Sequence, residues 1–177
     1  MKIILSQKEM IALKPRKEPR EYVILRYLAS HYNNTLIIDA GTRNGASALA
    51  LSSNLTNTVH SYDIIAKWHT SELEQRSNVT FFTKDCNELD DEAFKGVSII
   101  YLDISHNGTD EEKFLKKLDA HFKGILVMDD VSCPKRWPKL HKLWNDIARP
   151  KILVPERISA NRGTGIIMYG DQVELTD

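Results

Sequence analysis

Five short apolar runs limit what this chain can fold into: "LIIDA" at 36–40, "TVHSYDI" at 58–64, "VTFFTKD" at 79–85, "VSIIYLDI" at 97–104 and "GILVMDD" at 124–130. They are rich in β-branched and aromatic residues, and runs apolar on both alternating faces suit strands of a parallel sheet covered on both sides. The segments between them read as helices. "TDEEKFLKKLDAHF" opens on Thr109 with Glu112 three residues on, a capping box, and aligns Phe114, Leu115, Leu118 and Phe122 on one face. "KRWPKLHKLWNDI" aligns Trp137, Leu140, Trp144 and Ile147 as a core stripe, and residues 18–32 make a leading helix. Strand–helix alternation predicts a doubly wound, Rossmann-like α/β fold with helices on both faces of a mostly parallel sheet. The rhythm breaks in "KILVPERISANRGTGIIMYGD", two apolar runs joined by a polar turn, which predicts a hairpin and an antiparallel C-terminal strand at 165–169.

With 177 residues, one domain spanning 1–177 is expected: an N-terminal helical extension over 1–35 and a core over 36–170. Lys plus Arg and Asp plus Glu number 24 each, so no net field favours nucleic acid or a membrane surface. Cys86 and Cys133 lie far apart with no metal-finger spacing and read as free thiols. No apolar run reaches the length of a membrane span and the first residues do not form a secretory signal. The expected location is the cytoplasm.

The first run leads into "DAGTRNGASALAL". In open α/β sheets ligands sit beyond the carboxyl ends of the strands, where the strand order reverses. Gly41 and Gly45 allow a sharp turn and close approach of a ligand, and the helix that follows turns its first N–H groups to the site. The dinucleotide fingerprint GxGxxG is absent; the pattern is DxGxxxG, with an acid that repels phosphate and favours an ammonium group. An acid also ends each of the next two runs, Asp63 and Asp85.

These residues resemble the class I S-adenosylmethionine-dependent methyltransferases, and the resemblance covers roughly residues 36–170. It implies a seven-stranded sheet with S-adenosyl-L-methionine as the cofactor. Asp39 would handle the amino end of the methionine moiety, and the helix start with Ser47 its carboxylate. Asp63 would accept the ribose hydroxyls and Asp85 the adenine amino group. Gly41, Thr42, Arg43, Gly45, Ile64, Cys86 and Asp103 complete the expected cofactor contacts. Each acid taken alone also reads as a helix cap or turn former. Trp68 and His69 follow Asp63 closely enough to cover an adenine, or to be an ordinary exposed loop.

The fourth and fifth runs end in Asp103 and in Asp129–Asp130. Adjacent parallel strands lie about 4.8 Å apart, so the three carboxylates converge and repel. A hard divalent cation, Mg²⁺ or a similar ion, resolves that conflict, with Asp103, Asp129 and Asp130 as its ligands. The arrangement resembles metal-dependent O-methyltransferases of the macrolide-sugar and catechol types. "DISH" places His106 three residues after Asp103, where the sugar enzymes carry a histidine and the catechol enzymes a lysine base. The doublet departs from both: the catechol enzymes have an amide as its second member, the sugar enzymes usually Glu as its first.

The mechanism implied is methyl transfer to a sugar or glycan hydroxyl, with His106 as general base beside Asp103. His106 could also be no more than a cap for the next helix. Two other functions stay open: O-methylation of a catechol or phenol, and a non-catalytic module that binds S-adenosylmethionine. The absence of an Asn/Asp-Pro-Pro-aromatic motif and of net basic charge argues against a nucleic-acid substrate. Free sugars, nucleotide-sugars or glycans are the expected acceptors, the basic run "CPKRWPKLHK" being either a solvated face or a place for an anionic acceptor. With little chain outside the core to cover a substrate, a homo-oligomer or a larger glycan-modifying protein is an expected setting.

Overall fold

A computed structural model describes residues 1–12, 20–65, 67, 76–118, 122–156, 158–159 and 162–177. Seven strands form the main sheet: β2 (Leu36–Ala40), β3 (Thr58–Asp63), β4 (Val79–Thr83), β5 (Val97–Leu102), β6 (Ile125–Met128), β7 (Lys151–Leu153) and β8 (Gly165–Met168). Their order is β4-β3-β2-β5-β6-β8-β7. The pairs β2–β3, β3–β4, β2–β5 and β5–β6 are parallel, whereas β8 runs antiparallel to β6 and β7. Both the covered parallel sheet and the closing hairpin agree with the sequence pattern.

Alternation along the strands divides the core in two. Ile37, Val59, Ile99, Tyr101, Ile125 and Val127 pack with α2 (Arg20–Ser30) and α3 (Ala46–Leu51) on one face. Ile38, Ala40, Ile100, Leu102, Leu126 and Met128 pack on the other with α4 (Thr109–Leu118) and α5 (Pro138–Asp146). The expected stripe of α4 is there: Phe114, Leu115 and Leu118 are buried, and each contributes roughly 1.5–3 kcal/mol. Its cap differs from the expected box. Asn107 Oδ1 accepts the N–H groups of Thr109 and Asp110, and Glu111, not Glu112, reaches back to Gly108 N–H at 2.7 Å. Glu112 instead pairs with Lys116 one turn on.

The first 35 residues are not simply a helical extension. Lys2–Ser6 form a strand, β1, that pairs parallel with the C-terminal strand β9 (Gln172–Thr176). A short helix, α1 (Gln7–Ala12), follows β1. Ile3, Leu5 and Val173 are buried in the first half of the core, so alternating burial rather than helical periodicity governs "KIILS". The pairing joins chain ends, which no local pattern reveals.

The close approach of β2 to β5 depends on Gly41. Its φ is +94°, and a Cβ there would stand 1.9 Å from the carbonyl oxygen of Asp103. Gly41→Ala is expected to cost about 2–5 kcal/mol, the left-handed strain plus overpacking. Denaturant unfolding measures it; a loss under 1 kcal/mol would mean that the two strand ends are not tightly apposed.

Candidate functional site

The order of strands reverses at β2, with β3 and β4 on one side and β5 and β6 on the other. Beyond the carboxyl ends of these five strands lies a cavity of about 520 Å³, within the usual 300–1,000 Å³ of small-molecule sites. Its lining follows the strand order: Asp85 after β4, Asp63 ending β3, Gly41 after β2, Asp103 after β5, and Asp129 and Asp130 after β6. Backbone ladders carry on past the strands and fix these acids. Asp103 N–H donates to the Ala40 carbonyl at 2.9 Å, and Asp129 N–H to that of Leu102 at 3.1 Å.

Of the residues expected to meet a cofactor, Gly41, Arg43, Asp63, Ile64, Asp85, Cys86 and Asp103 line the cavity. Asp39, Thr42, Gly45 and Ser47 do not; Asp39, Thr42 and Ser47 are buried beneath the loop. Asp39 accepts from the Ser61 hydroxyl at 2.7 Å. Burial pushes its carboxyl up to about 6, against the hydroxyls of Ser61, Ser47 and Thr42, which favour the ion. Asp63 Oδ2 accepts the Arg43 N–H at 2.7 Å and Oδ1 the Ile65 N–H at 2.9 Å, tying the loops after β2 and β3 together. Asp85 caps the turn at Cys86–Glu88 through Asn87 N–H, the capping role the sequence also allowed. Trp68 and His69 lie outside the described residues.

The other pole of the cavity holds the remaining acids. His106 Nε2 is 2.9 Å from Asp103 Oδ1 and 3.3 Å from Asp130 Oδ2, close to both without the alignment of a directed hydrogen bond. Asp129 is buried and its Oδ1 has no partner. Asp130 differs in that its Oδ2 accepts from Trp137 Nε1 at 3.1 Å and Arg162 Nη1 at 2.8 Å, while its Oδ1 also has no partner. Asp103, His106 and Asp129 each offer a ligand atom, all within 4.8 Å of one another. This donor set fits a divalent cation.

Crowding of charge is visible in the proton affinities. Burial, then Asp103, Asp130 and Glu21, push Asp129 up to about 8. Burial alone would lower His106, but Asp103, Asp130 and Asp129 raise it above its ordinary value. Glu21, at the start of α2, is also raised, first by burial and then by Asp103 and Asp130.

Three residues that shape this pole were not singled out from the sequence. Glu111 is 2% exposed. Its carboxylate accepts the N–H groups of His106 at 2.6 Å and Gly108 at 2.7 Å, gripping the loop that presents the imidazole. Trp137, read as core, packs half-buried against the second half of the core and also lines the cavity, stacking on His106 with centroids 5.0 Å apart. Pro138 at the start of α5 was the available signal, because it leaves Trp137 at the helix entrance. Arg162 had none: it reaches Asp130 because Ser132 and Val131 bond back to the carbonyls of Arg162 and Gly163. Backbone strain gathers here too. Four non-glycine residues among those described have positive φ, and Arg43, His106 and Asp130 line the cavity. Such strain, about 1–3 kcal/mol each, collects at functional sites.

No family model matches the chain, and no curated protein matches it in sequence. Solved structures do. A methyltransferase of Podospora anserina bound to S-adenosylhomocysteine matches with a TM-score of 0.64 at 14% identity, over 85% of this chain and 78% of that one. An S-adenosylmethionine-dependent O-methyltransferase of Thermotoga maritima matches at 0.59 and 18%, over 92% and 70%. The fold is that of the class I S-adenosylmethionine-dependent methyltransferases. An rRNA methylase of Streptococcus thermophilus shares it as well, at 0.55 and 13% over 90% and 99%, so this methyltransferase fold does not by itself specify an acceptor.

The raised carboxyl of Asp129 gives stability a pH dependence. Its ordinary value is 3.8 and its folded value about 8, so between these the native state binds the extra proton and stability falls as pH rises. In chelator, Tm is expected to decline from pH 5 to pH 8 more steeply than in Asp129→Asn, and a divalent cation should flatten the decline. Equal slopes in the two proteins would show that Asp129 is not held in this crowded state.

Proposed function

We propose that this chain is an O-methyltransferase that moves the methyl group of S-adenosylmethionine to a hydroxyl of a sugar or glycan, assisted by a divalent cation of the Mg²⁺ class. The observation that carries the reading is the pairing, in one cavity, of Asp103 with the buried Asp129, whose Oδ1 has no partner, next to strand ends that carry Asp63 and Asp85. The donor would lie over the ends of β3 and β4, where Asp63 and Asp85 line the cavity with Ile64 and Cys86. Asp63 and Asp103 are two strand steps apart, roughly 10 Å, which suits a donor spread from ribose to sulfonium along the sheet edge.

S-adenosylmethionine supplies an electrophilic methyl, so the protein has to orient an acceptor oxygen, keep water out and manage one proton. Asp103 and Asp129 would hold the cation, whose charge lowers the pKa of a hydroxyl beside it. His106 has two chemical uses at this spot, each excluding the other: its Nε2 lone pair accepts a proton, or it enters a metal's coordination sphere. Trp137 offers the half-buried flat surface on the acceptor side, and Arg136 lies over its ring at 5.1 Å. Free sugars, nucleotide-sugars and glycans are all candidate acceptors. Support for a sugar over a phenol is the histidine, rather than lysine, three residues after Asp103. A homo-oligomer or a larger glycan-modifying protein remains a proposed setting. Among the described residues no helix is long and apolar enough to cross a membrane.

Calorimetry with S-adenosylmethionine, followed by methyl transfer to a panel of free sugars, nucleotide-sugars and catechols with and without Mg²⁺, tests the reading. The expected result is donor binding, cation-dependent turnover on a sugar, and His106→Ala that binds donor normally but turns over at least about 100-fold more slowly. Turnover on catechols alone would replace the acceptor class. Donor binding without turnover on any acceptor would leave a binding module.

A further inference from the structure

Asp130 and His106 invite opposite roles from the ones their sequence positions suggest. Asp130 follows Asp129 directly and looks like a third oxygen ligand, yet its Oδ2 is already paired with a guanidinium, and only its buried Oδ1 is left without a partner. Arg162 Nη1 sits 2.8 Å from Oδ2, Trp137 Nε1 donates to the same oxygen, and the side chain is almost fully buried behind them. His106 Nε2, by contrast, has no aligned hydrogen-bond partner and lies within 4.8 Å of ligand atoms of Asp103 and Asp129, with Asp130 Oδ2 at 3.3 Å.

The distances agree with a shared ion. Two neighbouring ligands on an octahedral cation with bonds of ~2.1 Å stand about 3.0 Å apart, and opposite ones about 4.2 Å. Nε2 and Asp103 Oδ1 are 2.9 Å apart, and all three candidate atoms fall within 4.8 Å, so the widest pair closes by up to about 0.6 Å to share the ion. The imidazole is also held in advance. Glu111 clamps the backbone N–H of His106, the residue sits at φ +58°, and Trp137 stacks against the ring. Asp129 supplies the independent sign of a missing partner, being about nine-tenths buried with Oδ1 turned to no donor.

We infer that the cation is held by two carboxylates and one imidazole, Asp103, Asp129 and His106, while Asp130 stays outside the coordination sphere as the counter-ion of Arg162. This rests on the metal-assisted reading above and sharpens it. With Nε2 committed to a metal, His106 is a ligand rather than the proton acceptor. Nitrogen in the donor set also shifts preference from Mg²⁺ toward Mn²⁺, Fe²⁺ or Co²⁺, since imidazole suits borderline ions and Mg²⁺ prefers oxygen alone.

Electron spin echo spectroscopy of the full chain loaded with Mn²⁺ tests this without any acceptor. The expected result is nitrogen modulation from a directly bound imidazole, kept in Asp130→Asn and lost in His106→Ala. Mn²⁺ affinity should fall at least about 10-fold in His106→Ala, the least that a disturbed metal site usually loses. Binding of Mg²⁺ should be weaker than that of Mn²⁺ in the wild-type protein. Mn²⁺ bound with no nitrogen modulation in the wild-type protein would overturn the ligand set while leaving a carboxylate-held metal in place. Failure to bind Mn²⁺ at all would overturn both. The wild-type spectrum decides the matter even if a variant does not fold.

Discussion

Repulsion among carboxylates that the sheet itself forces together is the constraint around which this molecule is organised. Asp103 and Asp129 are fixed by ladder hydrogen bonds at the ends of adjacent strands, and Asp130 follows at once. Carboxylates so close repel one another unless something compensates. Much of the surrounding architecture supplies it. Arg162 and Trp137 bond Oδ2 of Asp130, the imidazole of His106 stands between Asp103 and Asp130, and Glu111 holds the loop that puts it there. Among the described residues Asp129 is the acid of the three without an ion pair, and Oδ1 of Asp130 is left without a partner as well.

The compensation is structural as well as electrostatic. Arg162 reaches Asp130 only because the segment before β8 is bonded to the loop after β6, so the antiparallel hairpin of the C-terminal half serves the site. Trp137 enters through the start of α5 and His106 through the start of α4. At the β3 end of the cavity the same economy holds, with Asp63 joining two loops through the N–H groups of Arg43 and Ile65. The strained backbone of Arg43, His106 and Asp130 marks the loops where these demands meet.

The sheet was legible because its signal is local. A run such as "SIIYL" is apolar on both faces whatever its partners, and Phe114, Leu115 and Leu118 repeat at helical spacing. Acids at strand ends were legible for a related reason: the fold places every parallel strand's carboxyl end on the same edge. The illegible parts all depend on long-range placement. β1 pairs with a strand 170 residues away, Arg162 meets Asp130 across a 32-residue separation, and Trp137 has the sequence pattern of a core residue. Glu111 and Glu112 are adjacent and chemically alike. Only the true capping position, Gly108 rather than Thr109, decides which of them turns inward.

The most direct measurement is a crystal structure of the chain with Mn²⁺ and S-adenosylhomocysteine, read by anomalous scattering from the metal. The account predicts one strong peak between the carboxylates of Asp103 and Asp129, with Arg162 still on Asp130 and the nucleoside along the ends of β3 and β4. No peak there, with Asp129 protonated or turned away toward solvent, would contradict it.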